Sequence, residues 1–282
     1  MTATLPRASY LDAESFQRER RTIFARSWQM IALKRALKAP GDYVCQNLAG
    51  TGLFVLSDAE GRIGAFLNAC RHQSLPLLDA GAGKLPFSLL RCRYHGWAYN
   101  LDGSFNEAPL KYSPQDRRLP EHGLRSLPLR EWRGLLLVSP EGSEADVEAE
   151  LGAAETELPL AAELMTDFAC NWKLLLEHWL ADRGAGWRFL FPSLALEPTA
   201  GALVVQQVIP RTHERTRLLS HVLTEDAQIA TVERTKTALA EDKLRVEALQ
   251  AALARGEETM AAAEGSALAA FRARVAAAED RG

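Results

Sequence analysis

The 282 residues are 47% apolar and 24% charged, and 33 basic against 36 acidic side chains give a formal net charge of −3. These fractions are typical of a folded globular protein and exclude a disordered chain. The near-balanced charge leaves no basic footprint for nucleic acid, and no apolar run reaches the roughly 18 residues that a membrane-spanning helix needs. The four cysteines are too few for a disulfide scaffold, and the N-terminus lacks the apolar stretch of a signal peptide, so a cytoplasmic location is predicted.

The first predicted element is an amphipathic helix from Leu11 to about Leu33, because apolar residues such as Phe16 and Ile23 recur at helical spacing. Pro40-Gly41 ends any helix, and the pattern then changes to short extended runs separated by turns. Residues 1–32 are therefore predicted to form an N-terminal helical segment.

An all-β domain is predicted from residue 33 to residue 143. Leu53–Ser57 and Arg62–Leu67 flank a turn sequence and are predicted to form a hairpin. Asp102-Gly103 is a strong turn signal for a second hairpin, and the apolar run 133–138 predicts a further strand.

Residues 144–282 are predicted to form a second domain of helices and an antiparallel meander. Its predicted elements are an acidic linker and helix over Glu144–Glu163, a helix over Asn171–Ala181, strands over Phe189–Leu196, Ala202–Ile209 and Thr216–Leu223, and a helical region from Ala227 to the end, divided at Gly256 and Gly265.

The most informative motif is Cys70-x-His72 followed, after residues 73–91, by Cys92-x-x-His95. A [2Fe–2S] cluster with mixed ligation takes two thiolates on one iron and two imidazoles on the other, so two loops that each give one Cys and one His fit it. The alternative is a Cys₂His₂ zinc site, although zinc sites usually group their cysteines and histidines separately. Cys45 and Cys170 are predicted to be inert buried residues.

The chain resembles the oxygenase (α) component of Rieske non-haem iron oxygenases over nearly its whole length. The motifs that carry the resemblance are Phe16-x-x-Glu19-x-x-x-Ile23-Phe24-x-x-x-Trp28, Pro40-Gly41-Asp42-Tyr43, the run CRYHGWAYNLDG at 92–103, Asn171-Trp172-Lys173 with Glu177, Phe189–Leu194, and Glu241-Asp242-x-x-x-x-Glu247-x-x-Gln250.

This resemblance implies an α+β fold in which an all-β Rieske [2Fe–2S] domain joins a truncated helix-plus-antiparallel-sheet domain of helix-grip type. It also implies an electron-donating reductase or ferredoxin as partner and a homo- or hetero-trimer in which one subunit's cluster serves the next. Neither a nucleic acid nor a membrane is expected as a partner.

The sequence departs from the family at its second metal site. The family holds a mononuclear Fe(II) by two histidines and a carboxylate, with the histidines in an Asp-x-x-His-x-x-x-x-His motif. Asp182 stands where the electron-bridging aspartate would be, but Ala185 and Leu190 occupy the two histidine positions. A deletion explains this loss, and His178 is the only nearby histidine that could rescue the site.

A candidate for the third ligand of that iron lies in the last long helical region. Apolar residues recur every seven positions in the last long helical region, at Val232, Leu239, Val246 and Leu253, and Asp242 falls on the same stripe. A buried unpaired carboxylate is costly. Asp242 is therefore either a remnant iron ligand, or a carboxylate at the frayed edge of the stripe or paired with an Arg or Lys side chain.

Three functions compete at this point. The chain could be an electron-transfer or non-catalytic subunit that has lost the oxygen-activating iron and works beside a full-length paralogue. It could also be an active oxygenase that hydroxylates or demethylates a small organic substrate at an altered iron site, or a non-enzymatic redox-sensing remnant. The absence of the two histidines favours the first.

Overall fold

The structure, a computed structural model, describes residues 4–109, 120–153, 157–182, 186–199, 201–225, 229–257 and 266–280. The chain divides into two compact units: Met1–Ser27 with Glu144–Gly282, and Trp28–Ser143. The first boundary thus falls at Ser27 rather than at the predicted residue 32. Within the described ranges, no helix has the length and apolar character to cross a membrane.

The predicted long N-terminal helix is wrong in its extent. The segment forms two short helices, α1 (Ala8–Leu11) and α2 (Ala13–Thr22), and its last part is a strand, β1 (Gln29–Leu33). Asp12 separates the helices because its side chain caps α2, accepting hydrogen bonds from the backbone N–H groups of residues 14 and 15. All five residues of β1 are buried, so their apolar character reflects a strand in the core and not a helix face.

The unit Trp28–Ser143 is built from β-strands, as predicted. After β1 they are β2 (Asp42–Leu48), β3 (Thr51–Ser57), β4 (Ile63–Leu67), β5 (Gly81–Lys84), β6 (Leu89–Arg91), β7 (Ala98–Asn100), β8 (Phe105–Glu107), β9 (Leu129–Trp132) and β10 (Leu135–Val138). The described strands form antiparallel sheets in the orders β1-β10-β9, β4-β3-β2-β5 and β6-β7-β8.

Both predicted hairpins of this unit are confirmed. β3 pairs with β4, and the Asp58 side chain closes their turn by accepting hydrogen bonds from the N–H groups of Glu60 and Arg62. β7 pairs with β8 across Asp102-Gly103. Gly103 has a φ of +83° and lies against the Phe66 ring, which a Cβ would overlap, so both backbone and space require glycine here.

In its described residues, the other unit combines α1 and α2 with one sheet and four more α-helices. Its further elements are α3 (Val147–Leu151), β11 (Leu160–Phe168), α4 (Trp172–Asp182), β12 (Arg188–Leu190), β13 (Leu194–Thr199), β14 (Ala202–Thr212), β15 (Arg215–Thr224), α5 (Ile229–Arg255) and α6 (Ser266–Glu279). The strands form one antiparallel sheet in the order β11-β15-β14-β13-β12. The predicted α+β fold class is therefore confirmed.

Two predicted elements of this unit differ from the structure. In the described residues of the acidic stretch 144–163 the helix is the short α3, and the end of the stretch belongs to β11, because alternate residues of β11 are shielded where it pairs with β15. The predicted strand over residues 189–196 is two strands, β12 and β13, separated by a turn that contains Pro192. Gly256 ends α5 with a φ of +75°, whereas Gly265 lies outside the described residues.

The apolar stripe of α5 is buried where the helix packs on α4 and β11. Leu239, Val246 and Leu253 are buried, and Val232 is half-buried. Asp242, on the same stripe, is only 2% exposed. The heptad pattern therefore identified the inward face of this helix.

Candidate functional site

Two loops of the β unit bring the four candidate cluster ligands together. Cys70 and His72 follow β4, and Cys92 and His95 lie between β6 and β7. The cysteines are buried, at 2% and 1% exposure, whereas the histidines are half-buried with ring centroids 4.7 Å apart. The donors thus form an inner pair of thiols and an outer pair of imidazoles.

The first loop is held by Asn68, which sequence reasoning missed. Its Oδ1 accepts hydrogen bonds from the N–H groups of Leu77 and Leu78 at 2.9 and 3.0 Å, and its Nδ2 donates to the Leu78 carbonyl at 2.8 Å. The backbone N–H of Cys70 donates to the carbonyl of Leu75. These bonds close the loop on itself, so Cys70 and His72 are presented on a preorganised backbone.

The second loop is a tight turn across the candidate ligands Cys92 and His95. The Cys92 N–H donates to the Trp97 carbonyl at 2.7 Å, and the Gly96 N–H donates back to the Cys92 carbonyl at 2.9 Å. Gly96 has a φ of +77°, a conformation that glycine adopts at no steric cost. The glycine at position 96 thus suits the backbone conformation of the turn.

Tyr99 is a further residue of the site that the motif did not reveal. It is fully buried, its hydroxyl lies 3.1 Å from Cys70 Sγ, and the same oxygen accepts a hydrogen bond from the Arg71 N–H at 3.0 Å. Burial, and then the hydrogen bond with Cys70, raise the pKa of Tyr99 above its ordinary value. The phenol therefore stays protonated and can donate a hydrogen bond to a thiolate at this position.

Trp97 packs against a candidate ligand. It is 5% exposed and stacks on the His72 ring with a centroid distance of 5.2 Å and an interplanar angle of 17°. The His122 ring lies 5.0 Å from Trp97 on the way to the surface. Trp97 thus restricts the orientation of the His72 imidazole.

A Tyr99→Phe substitution tests the role of the phenol. A hydrogen bond to a ligand sulfur stabilises the more negative, reduced cluster, so its loss should lower the reduction potential. A bond worth about 1–2 kcal/mol corresponds to a fall of roughly 40–80 mV for a one-electron couple. A spectroscopic redox titration of the purified protein would measure it, with Tyr94→Phe as the matched control, because the exposed Tyr94 should leave the potential unchanged.

The donor set fits a [2Fe–2S] cluster better than one zinc ion. Two thiols and two imidazoles in separate pairs match the two irons of a Cys₂His₂ cluster. Tetrahedral zinc needs all four donors around one point, whereas no three His, Cys, Asp or Glu side chains in the described ranges converge on a single metal position.

Asp242, the candidate ligand of the second metal site, contacts two residues of α4. Asp242 Oδ1 lies 2.9 Å from His178 Nε2, and Oδ2 accepts a hydrogen bond from the Trp179 indole N–H at 2.8 Å. Asp182 ends α4, but its side chain lies outside the description, as does Ala185; Leu190 is buried in β12. The described hydrogen-bond partners of Asp242 are thus a histidine and a tryptophan.

These residues do not fit the mononuclear iron of the family. The His178 imidazole contacts one oxygen of the Asp242 carboxylate. The Trp179 indole N–H, which cannot bind a metal, donates a hydrogen bond to the other oxygen. The facial triad needs a second histidine, and the described part of the chain contains no group of three donors that could hold an ion.

Comparison with known proteins defines the class. Residues 27–127 match the family model of the Rieske [2Fe-2S] domain. The chain is 28% identical over 187 residues to the carnitine monooxygenase oxygenase subunit of Acinetobacter baumannii, which covers 63% of this chain and 50% of that protein. It is 29% identical over 191 residues to the chloroplastic choline monooxygenase of Beta vulgaris, covering 63% of this chain and 42% of that one.

The fold agrees with this class. A crystal structure of the quaternary ammonium Rieske monooxygenase CntA with γ-butyrobetaine superposes with a TM-score of 0.81 at 22% identity, covering 98% of this chain and 95% of that chain. The chain thus carries a Rieske [2Fe–2S] domain. It is also homologous to the α subunits of Rieske oxygenases, and it spans about half the length of the curated relatives that it matches.

Proposed function

We propose that this protein is an electron-transfer subunit of the Rieske oxygenase family that holds a [2Fe–2S] cluster and has lost the mononuclear iron. Cys70, His72, Cys92 and His95 are the proposed cluster ligands. The observation that carries the second half of the proposal is the contact of Asp242 with His178 and Trp179, which places a hydrogen-bond partner on each oxygen of the carboxylate.

The arrangement of the ligand loops supports the electron-transfer role. The bound cluster supplies reversible one-electron chemistry. The chain buries both cysteines, sets the Tyr99 hydroxyl beside one sulfur, and leaves His72 and His95 half-buried, so their outer edges lie near solvent. A redox partner can approach the imidazoles without opening the site.

The proposed partners are an electron-donating reductase or ferredoxin and a full-length oxygenase paralogue, in a homo- or hetero-trimer. Asp182, at the end of α4, would then bridge towards an iron that another subunit supplies. The cytoplasmic location stays a prediction.

A second candidate function is an active oxygenase with an altered iron site. The pairing of His178 with Asp242 supports it, because one imidazole and one carboxylate are two of the three donors that the family uses. The curated relatives are named carnitine and choline monooxygenases, so a quaternary ammonium compound is the substrate class to test.

The iron content separates the two functions. We expect two irons and two acid-labile sulfides per chain after anaerobic purification, measured by elemental analysis and sulfide assay. His178→Ala should leave both numbers and the redox spectrum unchanged, because His178 binds Asp242 rather than a metal. A third iron that disappears in this variant would restore the oxygenase function.

Oxygen consumption gives an independent measurement. With reduced ferredoxin and carnitine, choline or γ-butyrobetaine, the isolated protein should show no substrate-dependent O₂ uptake, whereas adding a co-purifying full-length paralogue should restore it. If neither reduced ferredoxin nor dithionite reduces the protein's chromophore, the non-enzymatic remnant is the better description.

A further inference from the structure

A cavity with an excess of positive charge lies at the end of the β14–β15 hairpin. Its volume is about 330 Å³, near the lower limit for small-molecule sites in proteins. Its lining comes from the end of β11, the hairpin and α5, and contains four basic and two acidic side chains. These are Arg211, Arg215, Arg217, Lys243, Asp167 and Glu247. The excess of two positive charges attracts an anion.

Both acidic side chains of the cavity already have partners. Arg217 forms a two-pronged salt bridge with Asp167, with Nε 2.8 Å from Oδ1 and Nη2 2.9 Å from Oδ2. Glu247 Oε1 accepts a hydrogen bond from the backbone N–H of Ala169 at 2.7 Å and lies 3.7 Å from the Lys243 ammonium. The two carboxylates are thus engaged by their neighbours, and they leave the positive excess uncompensated.

The other two arginines of the cavity have no such partners. Arg211 and Arg215 are exposed, and neither forms a hydrogen bond or an ion pair with another described residue. The register of β14 against β15 shifts at Arg211, the extra residue of a β-bulge, and bulges redirect side chains. The hydrogen bond with Arg217 lowers the pKa of Asp167, and the charge of Arg211 also lowers it, so the field of Arg211 reaches this part of the cavity.

The hairpin that carries both arginines is fixed to the segment just before α4. The Thr216 hydroxyl donates a hydrogen bond to the carbonyl of Cys170 at 2.8 Å, and Nδ2 of the buried Asn171 donates to the carbonyl of His213 at 2.8 Å. The backbone beneath the arginines is therefore held in place before any ligand binds. Such preorganisation lowers the entropy cost of binding.

We propose that this cavity binds a small soluble phosphate monoester, whose phosphate group pairs with Arg211 and Arg215. A phosphate monoester carries a charge of about −1.5 to −2 at neutral pH on three acceptor oxygens, so it matches the positive excess. Planar guanidinium groups bind such oxygens through paired N–H donors. A phosphate ion alone does not fill the cavity, which leaves room for a small organic group. The proposal goes beyond the electron-transfer function and does not depend on it.

Isothermal titration calorimetry of the purified protein, in a buffer free of phosphate and sulfate, tests the site with inorganic phosphate and with glycerol 3-phosphate. Glycerol 3-phosphate should bind more tightly, and Arg211→Gln and Arg215→Gln should each weaken its binding by about tenfold. Arg234→Gln is the matched control, because Arg234 is an exposed arginine of α5 that does not line the cavity. Binding that neither cavity variant weakens, or that Arg234→Gln weakens equally, would overturn the proposal.

Lysine variants and other anions test the chemistry of recognition. Arg211→Lys and Arg215→Lys keep the charge but lose the planar pair of donors, so each should still weaken glycerol 3-phosphate binding by roughly threefold. Unchanged affinity in both would contradict pairing with the guanidinium groups. Succinate, a dicarboxylate, should bind about tenfold more weakly than glycerol 3-phosphate, and equal binding would overturn the choice of phosphate. Binding to phosphatidylcholine vesicles that contain phosphatidic acid, without binding to glycerol 3-phosphate, would contradict a soluble ligand.

Thermal unfolding controls for damage to the fold. Both arginines are exposed, so without ligand their glutamine variants should unfold close to the wild-type temperature and keep the cluster's absorption spectrum. Glycerol 3-phosphate should raise the unfolding temperature of wild type and of Arg234→Gln, but not that of the double variant Arg211→Gln with Arg215→Gln. Stabilisation that persists in the double variant would show that the ligand binds elsewhere. Should a glutamine variant fail to fold, its lysine counterpart decides the result.

Discussion

A Cys92→Ser variant is expected to purify without the [2Fe–2S] chromophore, and His95→Ala is expected to lose the Rieske-type electron paramagnetic resonance signal after dithionite reduction. Each substitution removes one donor from a pair, and the loop of residues 92–97 offers no replacement ligand. Because a bound metal group contributes its binding energy to the folded state, both variants should also unfold at a lower temperature. Iron and sulfide analysis with thermal unfolding would measure these effects.

The chain offers a matched control for this experiment. Cys170 is also a fully buried free cysteine, and it lies in the other unit, just before α4. Burial raises the pKa of its thiol to about 12, as expected for an inert cysteine. Cys170→Ala should therefore keep the full chromophore. If it lost the cluster as completely as Cys92→Ser, the loss would reflect general unfolding, and the assignment of Cys92 as a ligand would be wrong.

The cluster motif could be predicted because its chemistry is local in sequence. Cys70 and His72 lie in one loop and Cys92 and His95 in another, so spacing alone shows which donors each loop contributes. The turn at Asp102-Gly103 is equally local, since the positive φ of Gly103 is a property of one residue.

The residues that support the cluster could not be predicted in the same way. Tyr99 approaches Cys70 across 29 positions, and Asn68 reaches Leu78 across 10 positions, contacts that depend on how the sheets bring the loops together. A polar residue at the end of a strand, such as Asn68, is a weak signal that many loops share.

At Asp242, the heptad pattern of α5 predicts burial but not the contacts of the side chain. The heptad placed Asp242 on the buried stripe of α5, and the structure confirms its burial. The pattern could not choose its partner, because His178 lies 64 positions away on α4. The family motif directed attention to Ala185 and Leu190, so the contact with Trp179 was missed.

A buried ion pair on α4 carries the largest expected effect on stability. Lys173 and Glu19 are both fully buried and form a salt bridge between α4 and α2. The second carboxylate oxygen of Glu19 accepts a hydrogen bond from the Trp172 indole at 2.8 Å, and the Lys173 ammonium lies 5.6 Å from the centre of the Tyr10 ring. Every charged atom of the pair is therefore surrounded by the protein.

Lys173→Ala should lower the free energy of unfolding by about 3–5 kcal/mol, because it leaves the Glu19 carboxylate buried without its cation. The double variant Lys173→Met with Glu19→Gln should recover most of this loss, since the introduced amide oxygen can still accept the Trp172 hydrogen bond while no charge remains buried. Chemical denaturation of both variants would measure the difference. Equal losses in the two would show that the unpaired charge on Glu19 is not the main cost of losing Lys173.

The pH dependence of the stability of Lys173→Ala tests whether the buried Glu19 charge causes the loss. Burial already raises the pKa of Glu19 above its ordinary value beside Lys173, and removing the ammonium should raise it further. The folded variant then binds a proton that the unfolded chain releases, so its stability falls as the pH rises above the unfolded pKa and through the folded one. Its deficit relative to wild type should therefore be smaller near about pH 5 than near about pH 8. A deficit that grew towards acid would mean that Glu19 is stabilised as an anion by other groups, and that Lys173 is not its main partner.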